Sequence, residues 1–161
     1  LGLRAILEAN TIEEALARVD DNQMASAAHF LIASSTGEIA SVEVSPVYTA
    51  IRKADNGKMT HTNHICSVPM KERMTESALP NSFIRLSTID QILENLQDKE
   101  ITKENLFKQL ASHEHYPNSI CRHPIPGENL SETVFSIVMN LSSRELHWLE
   151  GKPCEHLNEV G

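Results

Sequence analysis

Apolar residues recur at helical spacing at the start of the chain, alternate with polar ones over the next forty residues, and return to helical spacing after Pro80. Leu3, Ile6 and Leu7 predict a first helix within Leu1 to Ala9. Thr11 followed by Glu14 is a capping-box pattern, in which the hydroxyl and the carboxylate satisfy amides that a helix start leaves without partners. The helix it opens places Ile12, Leu16 and Val19 on one stripe, with Glu13, Arg18 and Asp20 for the wet side, as expected of a helix packed on a sheet.

From Ala28 the period shortens to that of strands: Ala28 to Ser34, a Ser35-Thr36-Gly37 turn, Ile39 to Ser45, then Tyr48 to Lys53. Asp55-Asn56-Gly57 is a hairpin signal, because Asn-Gly supplies the positive φ angles of a tight turn, and it predicts Lys58 to Asn63 as a fourth antiparallel strand. In the second strand Ala40, Val42 and Val44 alternate with Ser41, Glu43 and Ser45, the pattern of a sheet with one buried face. Pro80-Asn81-Ser82 starts a helix with Phe83, Leu86, Ile89, Leu93 and Leu96 along its stripe, and Thr102 opens another carrying Leu106, Phe107 and Leu110. A long loop, His113 to Glu132, precedes a hairpin of Thr133 to Leu141 and Glu145 to Glu150, with Trp148 expected as a core or interface anchor. Helices and strands in this order predict an α+β fold, layers of antiparallel sheet with helices segregated onto them, and a single domain over residues 1–161.

Composition narrows the function classes. A net charge of −8 with no Lys/Arg run argues against nucleic acid or an anionic membrane surface as a partner. No apolar run is long enough to span a bilayer. Three widely spaced cysteines, Cys66, Cys121 and Cys154, form no CxxC pair, so neither a disulfide framework nor a zinc ribbon is indicated, and a reducing, cytoplasmic compartment fits. The chain starts on leucine and its opening residues show no charged-then-apolar signal pattern, which leads us to expect a fragment or a processed product.

Candidate chemistry centres on His61-Thr62-Asn63-His64-Ile65, where a strand is expected to open into a loop. An Asn63 amide fixed there can donate to an oxygen that becomes negative during attack on a carbonyl; the plainer alternative is that it caps the loop. On a strand His61 and Asn63 would face one way and Thr62 and His64 the other, so the two histidines do not converge as ligands. His64 and Cys66 share a face without being held in hydrogen-bond geometry, and Cys121 beside Arg122 reads as a small buried hydrophobe. His113-Glu114-His115 lacks HExxH spacing; a closed metal site there would need distant partners that the sequence does not identify, so no metal and no cofactor are expected. Arg122, in the long loop, suits an anionic partner.

Three passages in this order and spacing carry a resemblance: Ala25-Ser26-Ala27-Ala28 running into FLIASSTGE and on to Glu43-Val44-Ser45-Pro46, then MTHTNHI, then YPNSICRHP. The chain resembles the acyl-coenzyme A:6-aminopenicillanic-acid acyltransferase-like family, the penicillin acyltransferase branch of the N-terminal nucleophile hydrolases, from its first helices through LHWLEGKPC. The resemblance implies an αββα sandwich and an enzyme whose precursor cleaves itself before an internal cysteine, which then attacks with its own α-amino group as base. It implies Asn63 as the oxyanion-hole asparagine. Arg85 is similar to an arginine near the nucleophile in the related choloylglycine hydrolases, and Arg122 lies in the SICR motif. With Asn63 and Arg85 as catalytic candidates, Arg122 and His64 are candidates for substrate binding.

The family's cysteine precedes the helices with which this chain begins, and Leu1 has no attacking group. The chain is therefore expected to be the later portion of an oligomeric, autoproteolytic amidase or acyltransferase, inactive alone. Its substrate would be a small acyl or amide compound, and its sheet edge would be filled by the upstream segment or another chain. The alternative is a non-catalytic binding or interaction domain that keeps the fold.

Overall fold

The computed structural model describes residues 2–21, 24–54, 56–98, 101–127 and 131–157. Leu1, the Asp20 side chain, Asp55 of the expected turn and residues 128–130 of the long loop lie outside the described residues. The chain divides into two compact units, Leu1–Ala78 and Leu79–Gly161, each described by itself.

The first unit opens with α1 (Gly2–Leu7) and α2 (Ile12–Asp21), followed by β1 (Ala28–Ala33), β2 (Ile39–Val44) and β3 (Thr49–Lys53) in an antiparallel sheet of order β1-β2-β3. The capping box forms with a variation: Thr11 Oγ1 accepts the Glu14 amide at 3.1 Å, while the Glu14 carboxylate reaches back one residue further, to the Asn10 amide at 2.8 Å. Ile6, Ala15 and Val19 pack on Val42 and Val44, which fixes one face of β2 against the helices.

The other face of β2 departs from the expectation of a wet side. Ser41, Glu43 and Ser45 are as buried as their apolar neighbours, because β2 is the central strand and the chain after β3 covers that face. That covering chain is the expected fourth strand. Lys58 to Asn63 does not pair with the sheet and is irregular throughout, its backbone tied down by side chains instead of a ladder; Arg52, for instance, donates to the Thr60 carbonyl at 3.3 Å. A short helix, α3 (Val68–Lys71), follows and buries Met70.

The second unit contains α4 (Pro80–Asn95), α5 (Lys103–Leu110) and the hairpin β4 (Phe135–Asn140) with β5 (Glu145–Glu150), then a 3-10 turn at Pro153–His156. Thr102 caps α5, its side chain accepting the Asn105 amide at 3.2 Å, and Phe107 is the buried anchor of that helix. On α4 the expected stripe is displaced: Ser82 and Thr88 are the fully buried positions and Phe83 is exposed. Thr88 tolerates this because its hydroxyl donates to the Ile84 carbonyl within the helix. Trp148 is likewise not a core residue. It is 61% exposed, and with Ile137, its partner across the hairpin, it belongs to an open apolar face that also carries Phe135, Met139 and Leu146. Among the described residues no helix is long and apolar enough to cross a membrane.

Candidate active site

Glu43 is the residue from which this site is built. It lies mid-strand on β2, directly opposite His29 of β1, with its side chain only 6% exposed. A buried carboxylate needs donors, and the segment after β3 supplies them: His61 Nε2 at 2.9 Å, the Cys66 amide, and the Ser67 amide at 3.0 Å. Burial by itself would raise the Glu43 carboxyl, but the hydrogen bonds from the Cys66 amide, Ser67 and His61 outweigh it and hold the group at about 2. An ionised carboxylate only accepts, so His61 must donate from Nε2.

His29 completes the cluster. Its ring stacks on that of His61, centroids 3.3 Å apart, and its Nε2 lies 2.9 Å from Ser41 Oγ. Burial, reinforced by His61, pushes its pKa from an ordinary 6.5 to about 4, so His29 is neutral at physiological pH. One residue before Cys66, the Ile65 amide donates to both oxygens of Glu76, at 2.9 and 2.8 Å. Residues 61 to 67 are thus fastened at one end through a side chain and at the other through three consecutive amides.

Asn63 sits in the middle of this fastened segment, exposed, on the lining of a cavity of about 480 Å³. The site is not a strand end, so the expected alternation of faces does not hold: His61, Thr62, Asn63, His64 and Ile65 all line the same cavity, with Met70, Met74 and Glu76 beyond them. His61 and His64 nevertheless do not converge. His64 is buried, its Nδ1 3.1 Å from Thr62 Oγ1, and burial lowers its pKa. Nor do His64 and Cys66 form a nucleophilic pair, since the Cys66 thiol points at the His64 carbonyl and is pushed up by burial and by the Glu43 charge.

Arg85 and Arg122 belong to the second unit. Arg85 reaches Asn81 Oδ1 at 3.4 Å from within α4, and burial, with the positive charge of Arg122 nearby, lowers its pKa. Cys121 is fully buried, as expected, and burial together with the neighbouring Cys154 thiol pushes it up to about 11. Among the described residues, two groups of side chains bring possible metal-ligand atoms within 4.8 Å of one another: Glu43, His61 and Cys66, and His113, Cys121, His123 and Cys154. In the first, the carboxylate is already occupied by three donors from the protein, which leaves it poor as a cation ligand.

Glu43 is the residue that sequence reasoning missed. The available signal was an acid at the middle of a strand with hairpin partners on both sides, where alternation alone cannot provide a solvent-facing place.

A model of the family described as acyl-coenzyme A:6-aminopenicillanic acid acyl-transferase matches residues 1–155. The acyl-coenzyme A:6-aminopenicillanic-acid-acyltransferase 40 kDa form of Emericella nidulans is 29% identical over 154 residues, which cover 95% of this chain and 42% of that protein. The match runs through both units and takes in the clamped segment around Asn63 as well as the loop bearing Arg122, so that the chain belongs to the acyl-coenzyme A:6-aminopenicillanic acid acyl-transferase family.

Proposed function

We propose that this chain provides the oxyanion-stabilising part of an N-terminal nucleophile enzyme that cleaves a C–N amide bond or passes an acyl group from a thioester to an amine. Asn63 is the donor in this reading. The observation that carries it is the exposure of Asn63 at a cavity while the residues on both sides are fastened to the buried Glu43 carboxylate, with Glu76 holding Ile65. A donor fixed before reaction pays no reorganisation when charge develops, which is what an oxyanion site requires. Family membership and the antiparallel pairing of both sheets support the αββα sandwich that goes with this chemistry.

The reaction follows from the groups. A cysteine thiol gives its proton to the cysteine's own α-amino group, and its sulfur adds to the carbonyl carbon. The carbonyl oxygen takes the electron pair and is met by the Asn63 side-chain amide. Collapse breaks the C–N or C–S bond, the α-ammonium group returns the proton to the leaving amine or thiol, and an amine or water then takes the acyl group. The resemblance places the family's cysteine ahead of the opening helices, where none of Cys66, Cys121 and Cys154 stands, so in this reading the attacking cysteine is none of these three. His64, lining the cavity, and Arg122 are assigned to substrate contact, and Arg85 to positive charge near the nucleophile.

The test is Asn63→Ala in the enzyme carrying its cysteine. Loss of one oxyanion donor lowers kcat about a hundred- to a thousand-fold with KM little changed, because the charge exists only once attack has begun. An unchanged kcat with a lowered unfolding midpoint would assign Asn63 a capping role and remove it from the chemistry.

A further inference from the structure

We propose that His113, Cys121, His123 and Cys154 form a tetrahedral Zn²⁺ site in the second unit, separate from the Asn63 cavity and independent of the acyl-transfer reading. The side chains converge from three stretches of chain: His113 just after α5, Cys121 and His123 in the long loop, and Cys154 in the 3-10 turn. His123 Nε2 lies 2.9 Å from His113 Nε2, 3.5 Å from Cys154 Sγ and 3.8 Å from Cys121 Sγ. A tetrahedron with Zn–N of about 2.0 Å and Zn–S of about 2.3 Å has edges of roughly 3.3 to 3.8 Å. The nitrogen-to-sulfur edge is about 3.5 Å, which the Cys154–His123 distance matches; Cys121 must approach His123, and the two imidazoles must part, by a few tenths of an ångström.

The backbone that carries these ligands is fixed by other bonds. The Cys121 amide donates to the Ser112 carbonyl at 3.0 Å, Ser119 Oγ donates to the Cys121 carbonyl at 2.6 Å, and Arg122 exchanges bonds with Thr133 at 2.9 and 3.1 Å. Lys152, two residues before Cys154, pairs with Glu132 and Glu155. The convergence is therefore held by contacts that do not involve the ligand atoms themselves.

Two thiolates and two neutral imidazoles are soft and borderline ligands that select zinc over magnesium or calcium, and four protein ligands leave no open position, so the site is structural. Binding replaces the two thiol protons, which pass to solvent, by one divalent cation. The ion would tie the irregular stretch after α5 to the 3-10 turn in a unit whose buried apolar side chains are few among the described residues, Phe107, Ala111 and Cys121 being three of them.

Full-length protein purified under reducing conditions from zinc-supplemented cells should contain one zinc per chain by elemental analysis. Exchange for Co²⁺ should give the visible absorption of tetrahedral cobalt and a thiolate charge-transfer band. His113→Ala, at an exposed position where the fold is not at risk, should weaken zinc binding at least the roughly ten- to hundred-fold that even an outer-shell loss costs. Cys154→Ser should abolish the charge-transfer contribution of one thiolate. Failure of the reduced protein to take up Zn²⁺ or Co²⁺ on titration would overturn the proposal. So would a native Cys121–Cys154 disulfide in protein that still binds no zinc after reduction, or zinc retention unchanged in both variants.

Discussion

The two units each gather histidines around a shared centre, but the centres are of opposite kinds. In the first unit the centre is an anion, Glu43, and what surrounds it are donors: a ring nitrogen and two backbone amides. In the second, His113, Cys121, His123 and Cys154 turn possible metal-ligand atoms toward one another, and none of the four is a carboxylate. A buried carboxylate that is satisfied by its own chain fixes that chain, and here it fixes the segment from which Asn63 projects. A cluster of ligand atoms needs a cation from outside before its electrostatics close.

Removing the anion is the strongest way to break the comparison. Glu43→Ala leaves His61 and two amides buried with no acceptor, and an unfolding titration in urea should register a loss of about 3–5 kcal/mol. A loss below 1 kcal/mol would mean that the segment does not depend on Glu43.

Acid should act in the same direction through two windows. Glu43 has its carboxyl lowered from 4.5 to about 2, so its contribution is complete above pH 4.5 and is lost as pH falls toward 2. His29 has its pKa lowered from 6.5 to about 4: the unfolded chain takes up a proton between those values and the native one does not, so stability already falls as pH drops from 6.5 to 4. His64, also lowered, contributes with the same sign. Tm measured against pH should decline through the upper window, and His29→Gln should flatten that decline. An upper window that stays flat in the wild-type protein would contradict the burial of a neutral His29.

The smallest effect is expected on the hairpin of the second unit. Trp148→Ser touches an exposed face and should change stability by no more than about 0.5 kcal/mol, since the indole is not packed in a core. A loss of several kcal/mol would show that this face is covered in the full-length protein.

Periodicity was a reliable guide where a single packing contact decides the structure. The two opening helices, the first three strands, the starts of α4 and α5 and the final hairpin all lie where the apolar spacing and the Thr11, Pro80 and Thr102 signals predict them. It failed where side chains replaced ladder bonds. Lys58 to Asn63 has strand-like residues, yet its Thr60 carbonyl is taken by the Arg52 side chain and its His61 side chain by Glu43, which no local pattern encodes. Asn63 stood out in the sequence as an amide expected where a strand opens into a loop and as part of MTHTNHI; the structure puts it on a cavity lining, but on an irregular segment instead of a strand end. Glu43 was not, since alternation assigns an acid on a strand to solvent and only the position of β2 between two neighbours denies it that place. Ligands 31 residues apart, such as His123 and Cys154, are equally invisible to spacing.

If Asn63 is the oxyanion donor, Glu43 acts on catalysis through it, and a double-mutant cycle on kcat tests this most directly. Glu43→Gln, nearly isosteric, is compared with wild type and then in an Asn63→Ala background, each measured on folded enzyme that carries its cysteine. Glu43→Gln should lower kcat in the presence of Asn63 and have little further effect once Asn63 is gone, the non-additivity of residues that serve one function. Equal fold-losses in both backgrounds would contradict the claim and leave Glu43 with a role in stability alone.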